Sequence, residues 1–220
     1  AMVRGLLWLR YRIEVRGLDE VAARGSRGML FLPTHPALID PIIVMTLLNA
    51  YFETRAMAKQ DAVDLPGIRW LAARFGVRTI LDATKLGQNA RGSIDAVVAE
   101  SIAGLQQGEN QVIYPAGRIL RSRYEELGAN SGVETILRAV PEVRVVLVRT
   151  RGLWGSSFGM ASGKAPNVGK VLLKAVFQIL ASGIFFAPRR HVSLEFIEPE
   201  DFPRDADRTS DVVTEQVKGS

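Results

Sequence analysis

Phe31-Leu32-Pro33-Thr34-His35-Pro36-Ala37-Leu38-Ile39-Asp40-Pro41 is the stretch around which this chain is organised. Met29 to Leu32, at its front, is a short apolar run fit for a buried strand. Asp40-Pro41 reads as a helix start, with Asp40 at the N-cap and Pro41 the first helical residue. That helix is expected to run through Ile42, Ile43, Met45, Leu47 and Leu48 to about Ala50. The loop between strand and helix carries one of the chain's two histidines. On a single regular helix a five-residue separation would put His35 and Asp40 about 140° apart, and they would not meet. With His35 in the loop and Asp40 at the cap, the intervening turn can fold the imidazole back over the carboxylate.

Outward from this stretch, strands and helices alternate. Arg12 to Arg16 has the period of a half-buried strand that ends at Gly17, and Gly25 to Gly28 is a turn. Glu53 to Ala58 is a strand leading to Lys59. Leu65-Pro66-Gly67 turns into a helix at Ile68 to Phe75, and Val77 to Leu81 is a strand. Ile94, Val97, Val98, Ile102 and Leu105 recur at helical spacing over Ala90 to Gln107, with Gly108 as the stop. Gln111 to Tyr114 is a strand ended by Pro115. Ser131 to Val140 is a helix with Ser131 and Glu134 as a capping box. Val143 to Val148 and Ser193 to Ile197 are the last strands. The class is α/β: a central, mostly parallel or mixed sheet flanked by helices, after an N-terminal amphipathic helical segment over Met2 to Tyr11. In such sheets the chemistry sits where strands end and loops begin.

Composition narrows the chemistry. At 220 residues, 47% hydrophobic and 23% charged, residues 1–220 read as one globular domain. Ala1-Met2 resembles a cloning scar and Val217-Lys218-Gly219-Ser220 ends abruptly, so the domain is expected to be excised from a longer protein. With no cysteine there is no thiol nucleophile or thiolate metal site. Two histidines are too few for a His-rich zinc site, so no metal is expected. The net charge of +5 favours acidic partners such as phosphates and anionic headgroups. The arginines are scattered, without a basic helix or RNA-stacking motif, which leaves nucleic acid the weaker reading.

Histidine is the natural general base near neutral pH, and a carboxylate on its far nitrogen fixes the tautomer. The plain alternative is that Asp40 is only a cap and His35 only a loop residue. A second stretch, Tyr114-Pro115-Ala116-Gly117-Arg118, follows a strand. Gly117 permits close backbone approach and Arg118 offers a fork that matches phosphate.

Together the two stretches resemble the PlsC-type glycerolipid and lysophospholipid acyltransferases. The family's first block is Asn-His-x4-Asp, here Thr34-His35-Pro36-Ala37-Leu38-Ile39-Asp40. Its third block is an apolar strand and then Pro-Glu-Gly-(Thr)-Arg, here Val112-Ile113-Tyr114-Pro115-Ala116-Gly117-Arg118-Ile119. The form without threonine is similar to the domains joined to acyl-acyl-carrier-protein synthetases. Lys59, Pro66-Gly67 and Gly76 fall where the second block lies, and Val145 to Val148 fits the fourth. There are three departures. Ala116 replaces the family's glutamate, Asp82 stands where the second block's arginine is expected, with Arg78 the nearest substitute, and Thr34 replaces asparagine.

The resemblance implies transfer of a fatty acyl group from acyl-CoA or acyl-ACP to a hydroxyl of a lysophospholipid or glycerol-phosphate acceptor. His35 would be the base and Asp40 its orienting carboxylate. Thr34, Lys59, Arg78, Gly117 and Arg118 would line the substrate site. It implies no bound cofactor, and a peripheral or monotopic place at the inner face of the cytoplasmic membrane. The changes at Ala116 and Asp82 leave two alternatives, a lipid-binding or regulatory domain with impaired catalysis and an N-acyltransferase with an amine acceptor. Arg149 to Phe158 reads either as a polar loop with a buried Trp154 or as a rim of arginines for phosphate and Trp154 for lipid. Leu172 to Ala187, flanked by Lys170 and Arg189-Arg190, reads as a buried helix or a membrane-dipping element. Met2 to Tyr11 carries the same choice between a packed helix and an interfacial one.

Overall fold

A computed structural model describes residues 2–59, 63, 68–80, 90–117, 119, 132–156, 159, 173, 177 and 189–202. Arg118, Asp82, Ser131, the Pro66-Gly67 turn, Phe158, the 217–220 end and all of 172–187 except Leu173 and Phe177 lie outside the described residues. The strands are β1 (Tyr11–Arg16), β2 (Met29–Pro33), β3 (Thr54–Lys59), β4 (Arg78–Ile80), β5 (Asn110–Val112), β6 (Arg144–Arg151) and β7 (Arg190–Ile197). The helices are α1 (Met2–Arg10), α2 (Leu18–Ala23), α3 (Asp40–Leu48), α4 (Ile68–Arg74), α5 (Ala90–Gln106) and α6 (Gly132–Ala139). The strands form one sheet in the order β1-β7-β6-β2-β5-β3-β4. β6, β2, β5, β3 and β4 run parallel. β7 pairs antiparallel with β6 and parallel with β1.

β2 is central, and every residue of it is buried. Met29 and Phe31 face a layer containing Leu7 of α1, Val21 of α2, and Ile43, Val44 and Leu48 of α3. Leu30 and Leu32 face Leu105 of α5 and Val133, Ile136 and Leu137 of α6. Cover on both sheet faces is why the strand reads as a continuous apolar run rather than an alternating one. α2 has no counterpart in the sequence reading. It is one short turn-and-a-half that buries only Leu18 and Val21. Gly17, at φ 78, opens it in the left-handed region, where an added Cβ would lie 2.0 Å from the carbonyl oxygen of Phe196.

Counting along the paired registers, Lys59 at the end of β3 is level with Thr34 and Pro115, at the C-terminal edge of the parallel strands. Arg78 opens β4 opposite Met57, two residues short of that edge. The chain leaves β2 for α3 and β3 on one side, and later crosses from β5 to β6 on the other. The His35 loop therefore sits between connections that diverge, where α/β sheets open a crevice.

Candidate active site

The loop after β2 is short and pinned at both ends. Thr34 N–H donates to Val148 O at 3.0 Å, and its own Oγ1 accepts from Thr150 N–H at 3.1 Å. The Thr34 hydroxyl thus extends the β2–β6 pairing by one rung, on a side chain that is buried. Ala37 bridges Gly159, so the segment after β6 lies against the His35 loop. The turn then closes with Asp40 N–H donating to Ala37 O at 3.1 Å.

Asp40 is not the helix cap that its sequence context predicts. Ile39 occupies the cap position without a side-chain hydrogen bond, Asp40 is the first helical residue, and Pro41 sits in the first turn. Its carboxylate points into the protein instead. It is fully buried, and its Oδ2 accepts a 3.0 Å hydrogen bond from the Tyr114 hydroxyl. His35 Nδ1 faces the same oxygen at 3.9 Å. Tyr114 also packs on the imidazole, with ring centroids 4.5 Å apart and planes tilted by 44°. His35, Asp40 and Tyr114 therefore form one cluster at the ends of β2 and β5, joined by Thr150 from β6.

The cluster is short of hydrogen bonds. His35 Nδ1, Asp40 Oδ1 and Thr150 Oγ1 are buried without a hydrogen-bond partner among the described residues. Burial pushes Asp40 up to about 7, against the smaller opposing pull of the Thr150 and Tyr114 hydroxyls. Of those two, only Tyr114 has hydrogen-bond geometry. Burial pushes His35 down to about 4. Each shift comes from a group's own desolvation, and at 3.9 Å the two have not yet formed a charge pair. Near neutral pH, His35 is consequently an unprotonated imidazole and Asp40 is close to its midpoint.

The other predicted residues divide. Gly117, at φ 61, turns the chain back so that its N–H donates to Tyr114 O at 3.0 Å, which fixes the exit from β5 beside the cluster. Ala116 is buried in the same turn. Lys59 shares the edge by backbone position, whereas Arg78 stands back from it. Arg149 and Arg151 belong to β6 rather than to a loop after it. Arg149 lies opposite Glu195 on β7 and pairs with it at 3.4 Å, because strand alternation turns it to the face away from Thr150. Trp154 is half-buried, not buried, and Leu153 takes the interior place instead. Leu173 and Phe177 are helical, four residues apart and each 72% exposed, so they do not fit a buried helix. Tyr114 and Thr150 had no functional reading in sequence. A hydroxyl just past an apolar run was the available signal.

A family model for acyltransferases matches residues 12–149. Among solved structures, the fold is similar to the 1-acyl-sn-glycerophosphate (LPA) acyltransferase PlsC from Thermotoga maritima. The TM-score is 0.56 and the identity 16%, over 98% of this chain and 73% of that one. At that identity the likeness speaks for the fold alone. A search of curated protein sequences finds no match. The matched span runs from β1 to β6 and holds the whole His35–Asp40–Tyr114 cluster, and it shows that the chain belongs to the acyltransferase family.

Proposed function

We propose that the protein transfers a fatty acyl group from a thioester, acyl-CoA or acyl-ACP, to the hydroxyl of a lysophospholipid or glycerol-phosphate acceptor. The observation that carries this is the approach of His35 Nδ1 to the Asp40 carboxylate at the C-terminal edge of the sheet. With Nδ1 turned to Asp40, Nε2 is the nitrogen left for a substrate. As the acceptor oxygen attacks the thioester carbonyl, Nε2 takes the hydroxyl proton. When the tetrahedral intermediate collapses, the C–S bond breaks and the imidazolium returns the proton to the departing thiolate. Asp40 holds the tautomer and offsets the charge on the ring. Neutral His35 suits a base, and the attack needs neither an acyl-enzyme nor a bound cofactor.

Lys59, Gly117 and Arg118 would meet the phosphate of the acceptor or of the donor's arm, with Thr34 holding the loop and Arg78 further out. Contact with a membrane surface is supported by the half-exposed Trp8 of α1, whose ring lies 3.6 Å under the Arg189 guanidinium, and by exposed Leu173 and Phe177. Among the described residues no helix is long and apolar enough to cross a membrane. The Pro-x-Gly-Arg-Ile form of the third segment favours a domain of the kind joined to acyl-ACP synthetases.

A second reading, a lipid-binding domain with impaired catalysis, is favoured by one observation: Ala116 brings no carboxylate to the turn beside the cluster. A panel of acyl-CoA and acyl-ACP donors against lysophosphatidic acid, other lysophospholipids and amine acceptors, read by mass spectrometry, separates these outcomes. Ester product that disappears in His35→Ala supports O-acyl transfer, and amide product redirects it to an amine acceptor. An inert wild type rescued by Ala116→Glu favours the binding domain.

A further inference from the structure

Tyr114 touches both members of the proposed pair. Its hydroxyl donates to Asp40 Oδ2 at 3.0 Å, the same oxygen that His35 Nδ1 faces at 3.9 Å. Its ring lies against the imidazole at 4.5 Å. Asp40 is fully buried, so bulk water does not reach the carboxylate, and Oδ1 has no partner among the described residues. The Tyr114 hydroxyl is thus the one hydrogen bond seen on that carboxylate among the described residues. A phenylalanine would provide the same ring contact. Tyr114 is half-buried, and what its hydroxyl adds to that ring contact is the bond to the buried carboxylate.

We infer that Tyr114 is a positioning residue for the proposed reaction: its hydroxyl anchors Asp40, and its ring holds His35 over the anchored carboxylate. The inference rests on the reading of His35 as base. A carboxylate oxygen has two lone pairs, so Oδ2 can accept from Tyr114 and still receive Nδ1–H. Because Tyr114 is fixed by the β5 exit and Asp40 by α3, the remaining gap of about 1 Å to hydrogen-bond distance is closed by the His35 loop. The groups facing Asp40 among the described residues are His35 from the loop after β2, Tyr114 from the end of β5 and Thr150 from β6. Tyr114 favours the charged carboxylate, so its removal raises the pH at which Asp40 ionises.

The test is a carbon-13 NMR titration of the Asp40 carboxyl in the full chain. It is paired with rate-against-pH profiles using oleoyl-CoA and lysophosphatidic acid. In Tyr114→Phe the Asp40 midpoint is expected to rise by about half to one unit. The rate at pH 7 is expected to fall about two- to fivefold and to recover toward pH 9, with an unchanged KM for oleoyl-CoA. An unmoved midpoint, or an equal loss of rate at every pH, overturns the inference. If Tyr114→Phe does not fold, 3-fluorotyrosine at position 114, a stronger donor of nearly the same shape, is expected to lower the midpoint. An unchanged or raised midpoint there overturns it equally. A wild type that turns over no donor–acceptor pair of the panel above defeats the proposed function, while the NMR midpoints still decide the role of Tyr114.

Discussion

The two edges of the parallel strands treat their central buried polar groups differently. At the N-terminal edge Asn110 and Arg144 are held by several hydrogen bonds each, although Gln111 Oε1 there lacks a partner among the described residues. Asn110 accepts from Met29 N–H at 3.1 Å through Oδ1, and its amide donates to Ser26 O and Glu53 O at 2.8 and 3.0 Å. Arg144 grips Glu198 with two nitrogens, at 2.7 and 2.8 Å, and donates to Gly25 O and Val21 O. At the C-terminal edge, fully buried Asp40 has one hydrogen bond, and His35, Asp40 and Thr150 each keep an atom without a partner among the described residues. Satisfied buried groups add stability, and unsatisfied ones cost it. One edge is thus built to hold the sheet, and the other keeps buried hydrogen-bonding capacity unused.

Exchanging these roles by mutation tests the contrast. Asp40→Asn is expected to lower the acyl-transfer rate about 10³- to 10⁴-fold, by the loss of a tautomer-fixing charge. That is about 4–5.5 kcal/mol of barrier. The variant should nonetheless melt higher than wild type at pH 8. Asp40 has a folded-state pKa raised to about 7, so its contribution is present below its ordinary value and lost as pH rises through 7. An amide escapes that loss, which is on the order of a few kcal/mol. A lower melting temperature at pH 8 would break the comparison.

The opposite edge should behave in reverse. Asn110→Ala strands one backbone donor and two acceptors and is expected to cost about 3 kcal/mol in denaturant melts. The rate per folded molecule should stay at the wild-type value. Arg144→Ala is expected to cost about 2 kcal/mol, because its fork is a quarter open to solvent and water replaces part of it. A rate loss in either variant larger than the unfolded fraction explains would show that the edges are coupled.

The smallest effect is in the pH dependence of stability. His35, with its folded-state pKa lowered to about 4, contributes stability that is present above its ordinary 6.5 and lost as pH falls through 4. Asp40 has the opposite sign over nearly the same window. The two offset one another, so wild-type melting temperature should change little between pH 4 and 6.5. His35→Ala should become less stable as pH rises there, and Asp40→Asn more stable. Parallel slopes in all three proteins would mean that the two groups do not titrate as their burial implies.

Local pattern made much of the fold legible. The apolar runs of β2 and β6 announce strands covered on both faces, and the spacing over residues 90–107 announces α5. α2 escaped because six residues burying two side chains give no period to detect. The strand order was not readable, since pairing such as β2 with β6 depends on contacts more than a hundred residues apart. At the site, His35 and Asp40 stood out as polar residues at a spacing that needed a loop. The cap reading of Asp40 failed because its carboxylate found Tyr114, 74 residues away, in place of its own helix N–H groups. Tyr114 lies two residues past β5 and Thr150 is the next-to-last residue of β6, positions where a hydroxyl looks like the return to solvent. Only the sheet register brings them to the same buried carboxylate.

The central claim is that His35 is the base of an acyl transfer. The direct measurement is the initial rate of lysophosphatidic acid acylation by oleoyl-CoA at pH 8, for wild type and for folded His35→Ala. The account predicts a loss of about 10²- to 10⁴-fold with cooperative melting retained. A His35→Ala protein that keeps the wild-type rate contradicts it.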